Sequence, residues 1–439
     1  MTDGAPWKHI ILFSIPVLLG SLLQQLYNTV DTIIVGNFSS EEALSAVGTT
    51  GTMTFFFLAI AIGLSSGCGV VVARDYGGQE FNKIRKDAAS GITFLLLVGL
   101  ISGIIGIIIS FPTFKYLLAV PDELLNLTLV YYRVYCLGLV FQFGYNILSA
   151  ILRALGDSKA TLYFLFISSV MNVFLDLLFV AVFKWSVFGA AFATDISQFV
   201  SLAAAYIYMC KKYPIFRFKL NEYHMERKSV ISTIEIGLPI STQLVIVSVG
   251  LTFIQRAVNE FGKAMTASFT VGQRIEQYIN LPFNSLQTTL ATYTGQNIGA
   301  GKLDRVKKGA KQGVLISIII TVCLSFIIYF SADKLAMLFN LSDEALLYCV
   351  PHIRTIAFIN IILGAYIPLF GVYQGMGHSG FPAIVATCAL TARVISVYAL
   401  RYSDLFGCSI IWWNGLFGYS LGIIITWSYY LSHKWEKKV

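Results

Sequence analysis

The stretch GGQEFNKIRKDA at residues 77–88 returns as GAGKLDRVKKGA at residues 299–310, 222 positions later. Working outward, LRALGDS at residues 152–158 returns as YQGMGHS at residues 373–379, 221 positions later. Arg133 matches Arg354 at that spacing, and Pro16 matches Pro239 at 223 positions. Four landmarks in one order and at one spacing indicate two copies of one half. A doubled, very apolar chain is typical of secondary transporters.

The composition is that of a membrane protein. Hydrophobic residues make up 56% of the chain and charged residues 12%, about half the charged fraction of soluble domains. Crossing a bilayer as a helix takes about 20 apolar residues. Because backbone groups in lipid must bond within the segment, we expect an all-α fold of twelve transmembrane helices. The twelve apolar runs lie at approximately 10–36, 45–72, 88–111, 124–150, 160–183, 187–210, 231–257, 264–294, 311–332, 345–374, 381–400 and 405–431.

Six spans in each copy return the chain to the side from which it entered. The two copies should therefore be related by a pseudo-two-fold axis along the membrane normal. The charged connector that starts at Lys211 is the natural boundary. It predicts an N-lobe at residues 1–215 with helices 1–6 and a C-lobe at residues 216–439 with helices 7–12.

The net charge of +8 comes from unevenly placed basic residues. Most Lys and Arg fall in the loops at 74–86, 211–228 and 302–311 and in the tail with Lys434, Lys437 and Lys438. By the positive-inside rule, both termini are cytoplasmic and the protein is a multi-pass protein of the cell membrane. The charge is an orientation signal, and we expect a lipid bilayer rather than nucleic acid as the partner.

The sequence contains no residue pattern that indicates a metal site, a cofactor or a catalytic centre. The seven cysteines form no C-x-x-C pair and the five histidines are scattered, so no metal site or cofactor is expected. The spans hold no G-x-S-x-G or His-rich arrangement, which argues against a membrane-embedded enzyme. We expect a monomeric transporter.

Ionisable side chains inside spans are costly and mark functional sites. Asp31 lies in span 1, and Asn172 and Asp176 lie one turn apart in span 5. Thr194 lies in span 6 with Asp195 beside it, although a helix turns about 100° per residue and the two cannot share a direction. Carboxylate, amide and hydroxyl oxygens in the outer half of one lobe are a ligand set for a proton or a hard cation such as Na⁺.

The second lobe carries positive charge instead. Arg393 stands at the position that matches Asn172, and span 8 holds Arg274 and Glu276. The coupling cation should therefore bind in the first lobe. For Glu276 two interpretations stay open, contact with a substrate or neutralisation by Arg393 or Arg274.

Two further features point to a cavity and a hinge. Pro16 lies inside a span that also carries an acid, and proline frees a backbone carbonyl and bends a helix, so Pro16 is a candidate hinge. Polar side chains within spans can line a wet substrate cavity; the candidates are Gln24, Tyr27, Gln142, Asn146, Arg274, Glu276, Tyr278 and Asn284.

Over nearly its whole length the chain resembles the multidrug and toxic compound extrusion (MATE) transporters of bacteria. The matching pieces are Pro16, the pair at 24–25, Asp31 and Gly36 in the first span, the RALGDSK loop at 153–159 with Asn172 and Asp176 after it, and the basic loops after spans 2 and 8. Only the ordered set is specific. The resemblance implies a cation site built from Asp31, Asn172, Asp176 and Thr194. Some members also use acids in spans 7 and 10 for sodium, and this chain holds none around Val247 and Ala365.

The resemblance implies antiport of small-molecule drugs. Two lobes would open alternately to the two sides, a drug would enter from the cytoplasm, and H⁺ or Na⁺ at Asp31 and Asp176 would favour its release. The alternative is a flippase for lipid-linked oligosaccharides or peptidoglycan precursors from the wider superfamily. The arginines of the second lobe favour that alternative, and the acids of the first lobe oppose it.

Overall fold

The structure is a computed structural model that describes residues 1–219, 222–339 and 341–436; Lys437 and Lys438 of the basic tail lie outside them. The regular structure of these residues is helical, as the sequence predicts. Twelve long helices are present: α1 Pro6–Phe38, α2 Glu41–Gly77, α3 Phe81–Pro112, α4 Asp122–Ala154, α5 Ser158–Asp176, α6 Ser186–Lys212, α7 Arg227–Asn259, α8 Lys263–Gly299, α9 Leu303–Met337, α10 Asp343–Gly375, α11 Gly380–Leu400 and α12 Ile410–Leu431. Single π-helical turns extend α3 over Thr113–Leu117 and α5 over Leu177–Val182.

Among the described helices, eleven are long and apolar enough to cross a membrane. The chain is therefore a multi-pass membrane protein. The twelfth long helix, α8, has the length of a span but a more polar composition. Its polar side chains recur along the helix: Gln273, Arg274, Glu276, Gln277, Asn280, Asn284 and Gln287. We call the side at which α1 begins and α2 ends the inner side, and the opposite side the outer side.

The repeat seen in the sequence is present in the backbone. The turn after α4 has Gly156 at φ 93°, and the matching turn after α10 has Gly377 at φ 73°, a left-handed conformation that favours glycine. The same hydrogen bond closes both turns, from Asp157 N to Leu152 O at 2.9 Å and from His378 N to Tyr373 O at 2.8 Å. Equal local geometry at these matched positions is what the sequence repeat predicts.

Contacts divide the chain into two compact units. The N-terminal unit comprises Ile15–Ser241, and the C-terminal unit comprises Met1–Ser14 with Thr242–Val439. The chain thus passes from one unit to the other inside α1, next to Pro16, and inside α7, next to Pro239. The lobe boundary at 215/216, which follows the repeat, stays a prediction.

Each unit has its own core. In the N-terminal unit, α2, α3, α4 and α6 bury a cluster that includes Cys68, Ile84, Leu95, Ile151 and Met209. In the C-terminal unit, α8, α9 and α10 pack together with α12 behind them. These cores hold the helices that carry the polar side chains of the candidate sites.

Candidate functional site

The structure brings Asp31 of α1 and Asp176 of α5 together inside the N-terminal unit. Their carboxyl groups interact directly. Asp176 is 0% exposed, and Asp31 is partly buried. Among the described residues, neither oxygen of Asp176 nor Oδ1 of Asp31 has a hydrogen-bond donor. Two carboxyl groups thus share a buried position without the donors that normally satisfy such groups.

Asn172 and Thr194 also meet, as the sequence predicts from their helix positions. Asn172 Nδ2 donates to Thr194 Oγ1 at 3.4 Å, and the Thr194 hydroxyl donates to Ala190 O at 3.2 Å. The amide nitrogen is therefore used, whereas Asn172 Oδ1 is buried and has no partner among the described residues. Asn172 lies one turn before Asp176 on the same face of α5, so its free oxygen belongs to the acid site.

Apolar residues of the same helices as these acids are buried together, and Tyr131 of that cluster lies near both carboxyl groups. Ile34, Tyr131, Val180 and Ala190 belong to one buried cluster with Val173 packed against it. Tyr27 lies near both carboxyl groups. Water exclusion by this cluster strengthens the repulsion between two neighbouring carboxylates, and a proton or metal cation relieves it.

Among the described residues, no Lys or Arg side chain forms an ion pair with Asp31 or Asp176. The ion pairs of the described residues lie toward helix ends and in loops, for example Lys83 with Asp75 at 3.2 Å and Lys212 with Asp157 at 2.7 Å. None of those pairs includes Asp31, Asp176 or Asp195. The described residues also contain no group of three His, Cys, Asp or Glu side chains able to hold a metal.

Asp195 points elsewhere. It is 7% exposed and lies over Gly138 of α4, where an added Cβ would be 1.8 Å from its Oδ1. Thr194 faces α5 and Asp195 faces α4, as the 100° turn between successive residues requires. Asp195 is therefore a separate buried acid beside the main pair.

A polar cavity lies in the N-terminal unit on the inner side of the acids. It has about 750 Å³ of empty volume including its mouth. Five residues singled out in the sequence line it, and these are Pro16, Gln24, Tyr27, Gln142 and Asn146. Tyr135 OH donates to Gln142 Oε1 at 3.0 Å and orients that side chain, and Asn146 Nδ2 donates to the backbone carbonyl of Gln142 at 2.8 Å.

Several lining residues were missed by the sequence reasoning: Ser21, Tyr145, Ser149, Arg153, Thr161, Ser168, Ser169 and Gln198. A signal for them was present. The lining residues of α4 fall at 142, 145, 146, 149 and 153, and those of α5 at 161, 165, 168 and 169. That spacing of three or four positions marks one helix face, and on α5 the same face continues to Asn172 and Asp176.

The C-terminal unit places Glu276 in a hydrogen-bonded chain. Tyr419 OH donates to Glu276 Oε1 at 3.0 Å and accepts from Arg393 Nη1 at 2.8 Å, and Arg393 Nε donates to Asn414 Oδ1 at 2.6 Å. Glu276 is thus connected to Arg393 through one hydroxyl. The carboxyl group of Glu276 therefore has a charged group within reach, unlike the acids of the N-terminal unit.

The remaining candidates on α8 lie apart from that chain. Arg274, Tyr278 and Asn284 are exposed. Glu276 lines a small pocket with about 280 Å³ of empty volume, including the solvent space at its mouth. Two buried groups line it as well, His352, stacked between Phe269 and Trp412, and Asn360.

Known proteins resemble this chain along its length. The family profile described as MatE matches residues 16–178 and again residues 239–399, once in each half. The probable multidrug resistance protein YpnP of Bacillus subtilis (strain 168) is 28% identical over 424 residues, covering 96% of this chain and 92% of that protein. The probable multidrug resistance protein YoeA of the same strain is 25% identical over 441 residues, covering 98% and 95%.

A solved structure shows the same fold. The crystal structure of MATE in complex with MaL6 matches with a TM-score of 0.92 at 24% identity, covering 99% of this chain and 98% of that one.

Proposed function

The chain belongs to the MatE family of membrane transporters, which are not enzymes, and we propose that it is a cation-coupled multidrug efflux antiporter. It exports amphipathic, often cationic organic compounds by alternating access. The observation that carries the proposal is the buried pair of Asp31 and Asp176 without a donor or a cationic partner among the described residues. The names of the relatives, probable multidrug resistance proteins, support the substrate class.

The acid pair is the coupling site. The buried oxygens that lack donors are Asp31 Oδ1, both oxygens of Asp176 and Asn172 Oδ1. Such a set accepts either a proton on a carboxylate or a Na⁺ ion among the oxygens. The ion is cargo that enters from outside and leaves on the inner side. Its arrival removes the charge that holds a cationic drug, so drug and ion exclude each other.

Pro16 supplies the mobile point of α1. It is buried, lines the cavity and lies where α1 passes from one contact unit to the other. A proline inside a helix leaves one carbonyl without its N–H partner, which lowers the cost of bending there. We infer that α1 bends at this point when the ion replaces the drug.

The inner side is cytoplasmic in this proposal, and the membrane is the cell membrane. The support is the concentration of Lys and Arg on that side. Both termini then lie in the cytoplasm. Each candidate site is built within one unit of a single chain, so a monomer suffices.

Two of the second-lobe arginines that favour a flippase, Arg393 and Arg354, are already occupied, and Arg274 is exposed. Arg393 bonds to Asn414 and Tyr419, and Arg354 Nη2 pairs with Asp333 at 2.7 Å. A pyrophosphate would have to displace these partners. We therefore prefer efflux over lipid-linked precursor transport.

Counter-transport in proteoliposomes tests the proposal. A fluorescent cationic dye is loaded, and a pH gradient, a Na⁺ gradient and a membrane potential are imposed one at a time. One charge moved through 100 mV supplies about 2.3 kcal/mol, whereas one pH unit supplies about 1.4 kcal/mol per proton. An exchange of one H⁺ for one monovalent cation responds to pH alone. Dye movement that ignores all three gradients would contradict antiport.

A further inference from the structure

Arg153 lies at the inner end of the cavity in the N-terminal unit and has no partner there. It lines the cavity and is partly buried. None of the hydrogen bonds or ion pairs within residues 1–219, 222–339 and 341–436 includes its guanidinium. Asp157, four residues further on, is the nearest acid along the chain. Its carboxylate is already used by Lys212 at 2.7 Å and Tyr208 at 2.9 Å.

Hydroxyl groups without partners lie in the same cavity. Ser149 and Ser169 line it and are 2% and 9% exposed. Within the described parts of the chain the Oγ atoms of both serines lack a hydrogen-bond partner at normal geometry, and that of Ser149 lies near the Tyr145 hydroxyl. A buried polar atom without a partner costs free energy that a ligand recovers. Arg153 follows Ser149 by one turn on the lining face of α4, so the donors of these two side chains face the same part of the cavity.

The charge of Arg153 is not needed to build the turn in which it stands. Gln374 is the matching residue of the second copy, and it accepts from Gln287 Nε2 at 3.2 Å. The turn after α10 has the same hydrogen bond and the same left-handed glycine as the turn after α4. The positive-inside rule requires only a basic residue on the cytoplasmic side, and it does not explain why the side chain of Arg153 lines a cavity. The arginine is therefore specific to this cavity.

The opposite end of the cavity carries negative charge. Its lining on α1 runs from Pro16 to Tyr27, and Asp31 follows one turn later. Along α4, Gln142 and Arg153 are about 16 Å apart at 1.5 Å per residue. The cavity thus has Arg153 and the Ser149 hydroxyl at its inner end and an acid pair beyond its outer end. Ser169 lies about 16 Å along α5 from that inner end, at the depth of Gln142.

We propose that Arg153, with Ser149 one turn before it, forms a subsite for the oxyanion of an amphipathic substrate. The substrate class is then a zwitterion, with its cationic part toward Asp31 and Asp176 and its carboxylate or phosphate toward Arg153. A guanidinium offers five donors in a planar fork that suits such oxyanions. This inference rests on the proposed efflux function, because it describes what the same cavity carries.

Binding of two matched dyes to the purified full-length protein in neutral detergent tests the subsite. Rhodamine 110 has a free carboxylate, and rhodamine 123 is its methyl ester with the same cationic ring system. Fluorescence anisotropy gives the Kd of each dye for the wild type, Arg153→Gln and Arg153→Lys. Arg153→Gln installs the residue that the second copy carries. Thermal unfolding of each variant checks that it is folded.

We expect Arg153→Gln to weaken binding of rhodamine 110 about ten-fold or more, the effect of a lost charge-assisted hydrogen bond. Binding of rhodamine 123 should be unchanged, and Arg153→Lys should keep part of the preference for rhodamine 110. An equal Kd ratio of the two dyes in the wild type and Arg153→Gln would overturn the subsite. So would a wild type that fails to bind rhodamine 110.

Two controls distinguish the subsite from the antiport proposal and from binding of a lipid phosphate. Equilibrium binding needs no ion gradient, so its result stands apart from the proteoliposome test of antiport. Phosphatidylglycerol added as a competitor distinguishes the sources of the oxyanion. Displacement of rhodamine 110 from the wild type but not from Arg153→Gln assigns the subsite to a lipid phosphate, and absence of displacement assigns it to the carboxylate of a soluble compound.

Discussion

The carboxyl group of Asp176, in the last residue of α5, lies against that of Asp31 in α1 with no lysine or arginine paired to either among the described residues. Both oxygens of Asp176 lack donors. Since a structural pair of acids would need neutralising partners, this arrangement supports an exchangeable positive charge at the site.

Asp31→Asn and Asp176→Asn should each abolish ion-driven efflux in vesicles. Asparagine keeps the volume of the side chain but can neither bind a proton nor supply negative charge, so the coupling step is lost. Expression and thermal stability should be retained, because the substitution removes repulsion from a buried site.

Asp333→Asn is the matched control for that experiment. Asp333 is about half exposed and pairs with Arg354 near the outer end of α10, and exposed pairs contribute about 0–1 kcal/mol. Efflux in this variant should equal that of the wild type. Full ion-driven efflux in both Asp31→Asn and Asp176→Asn would refute the coupling site.

Tyr419→Phe should destabilise the C-terminal unit. The hydroxyl accepts from Arg393 and donates to Glu276, and its loss leaves two charged groups each short of a partner at a cost of about 1–3 kcal/mol. Thermal unfolding in detergent measures the change. Tyr278→Phe removes an exposed hydroxyl from α8 and should leave the melting temperature unaltered. Equal melting temperatures for both variants would show that the hydrogen bonds from Tyr419 to Glu276 and Arg393 do not stabilise the fold.

Gly138→Ala should displace Asp195. The added Cβ would be 1.8 Å from Oδ1 and 2.3 Å from Cγ of that side chain, so the carboxyl group has to move within a packed interior. Overpacking of this kind costs about 1–3 kcal/mol. Gly51→Ala in α2 is the control, because its Cβ would meet nothing within 4 Å. The prediction fails if the two alanine variants unfold at the same temperature.

Asp157 should stabilise the inner end of α5 over the whole neutral range. Burial raises the pKa of Asp157, but hydrogen bonds from Lys212, Tyr208 and the Ala160 amide outweigh it and hold the pKa below its usual value. A lowered pKa means that stability is present above the unfolded-state pKa of about 4 and is lost as the pH falls through the folded one. Asp157→Ala removes this capping side chain and should cost about 0.5–2 kcal/mol.

The pH series makes that prediction specific. The difference in melting temperature between wild type and Asp157→Ala should be constant from pH 5 to pH 8 and should shrink near pH 3. Asp157→Asn keeps a capping oxygen and should lose less at pH 7. A difference that instead grows toward low pH would show that the carboxylate is not the stabilising form.

The helices, and the shared face of Asn172 and Asp176, could be predicted from the sequence because both depend on short-range spacing, whereas the function of the acid site stays a prediction. Asn172 and Asp176 share a face by the helical repeat alone, and the repeat of the two halves placed the spans around them. Thr194 and Asp195 were separated by the same geometry. In the structure Thr194 faces α5 and Asp195 faces α4.

Long-range partners were beyond the sequence. Tyr419 is an aromatic residue in an apolar helix, and nothing local shows that its hydroxyl connects Glu276 with Arg393. From the sequence alone, Arg153 looks like one of the basic residues at the inner ends of helices that orient a membrane protein. Only the packing of α1, α4 and α5 reveals that it enters a cavity.

The polarity of α8 has a consequence for biosynthesis. A translocon that partitions segments by their own hydrophobicity would release α8 into lipid reluctantly, since eleven helices qualify by composition and α8 does not. Its packing partners, α9 and α10, follow it in the chain and have not yet reached the membrane when α8 leaves the ribosome. Stable insertion of α8 should therefore wait for translation of later helices, so chains truncated after residue 299 should leave it outside the bilayer.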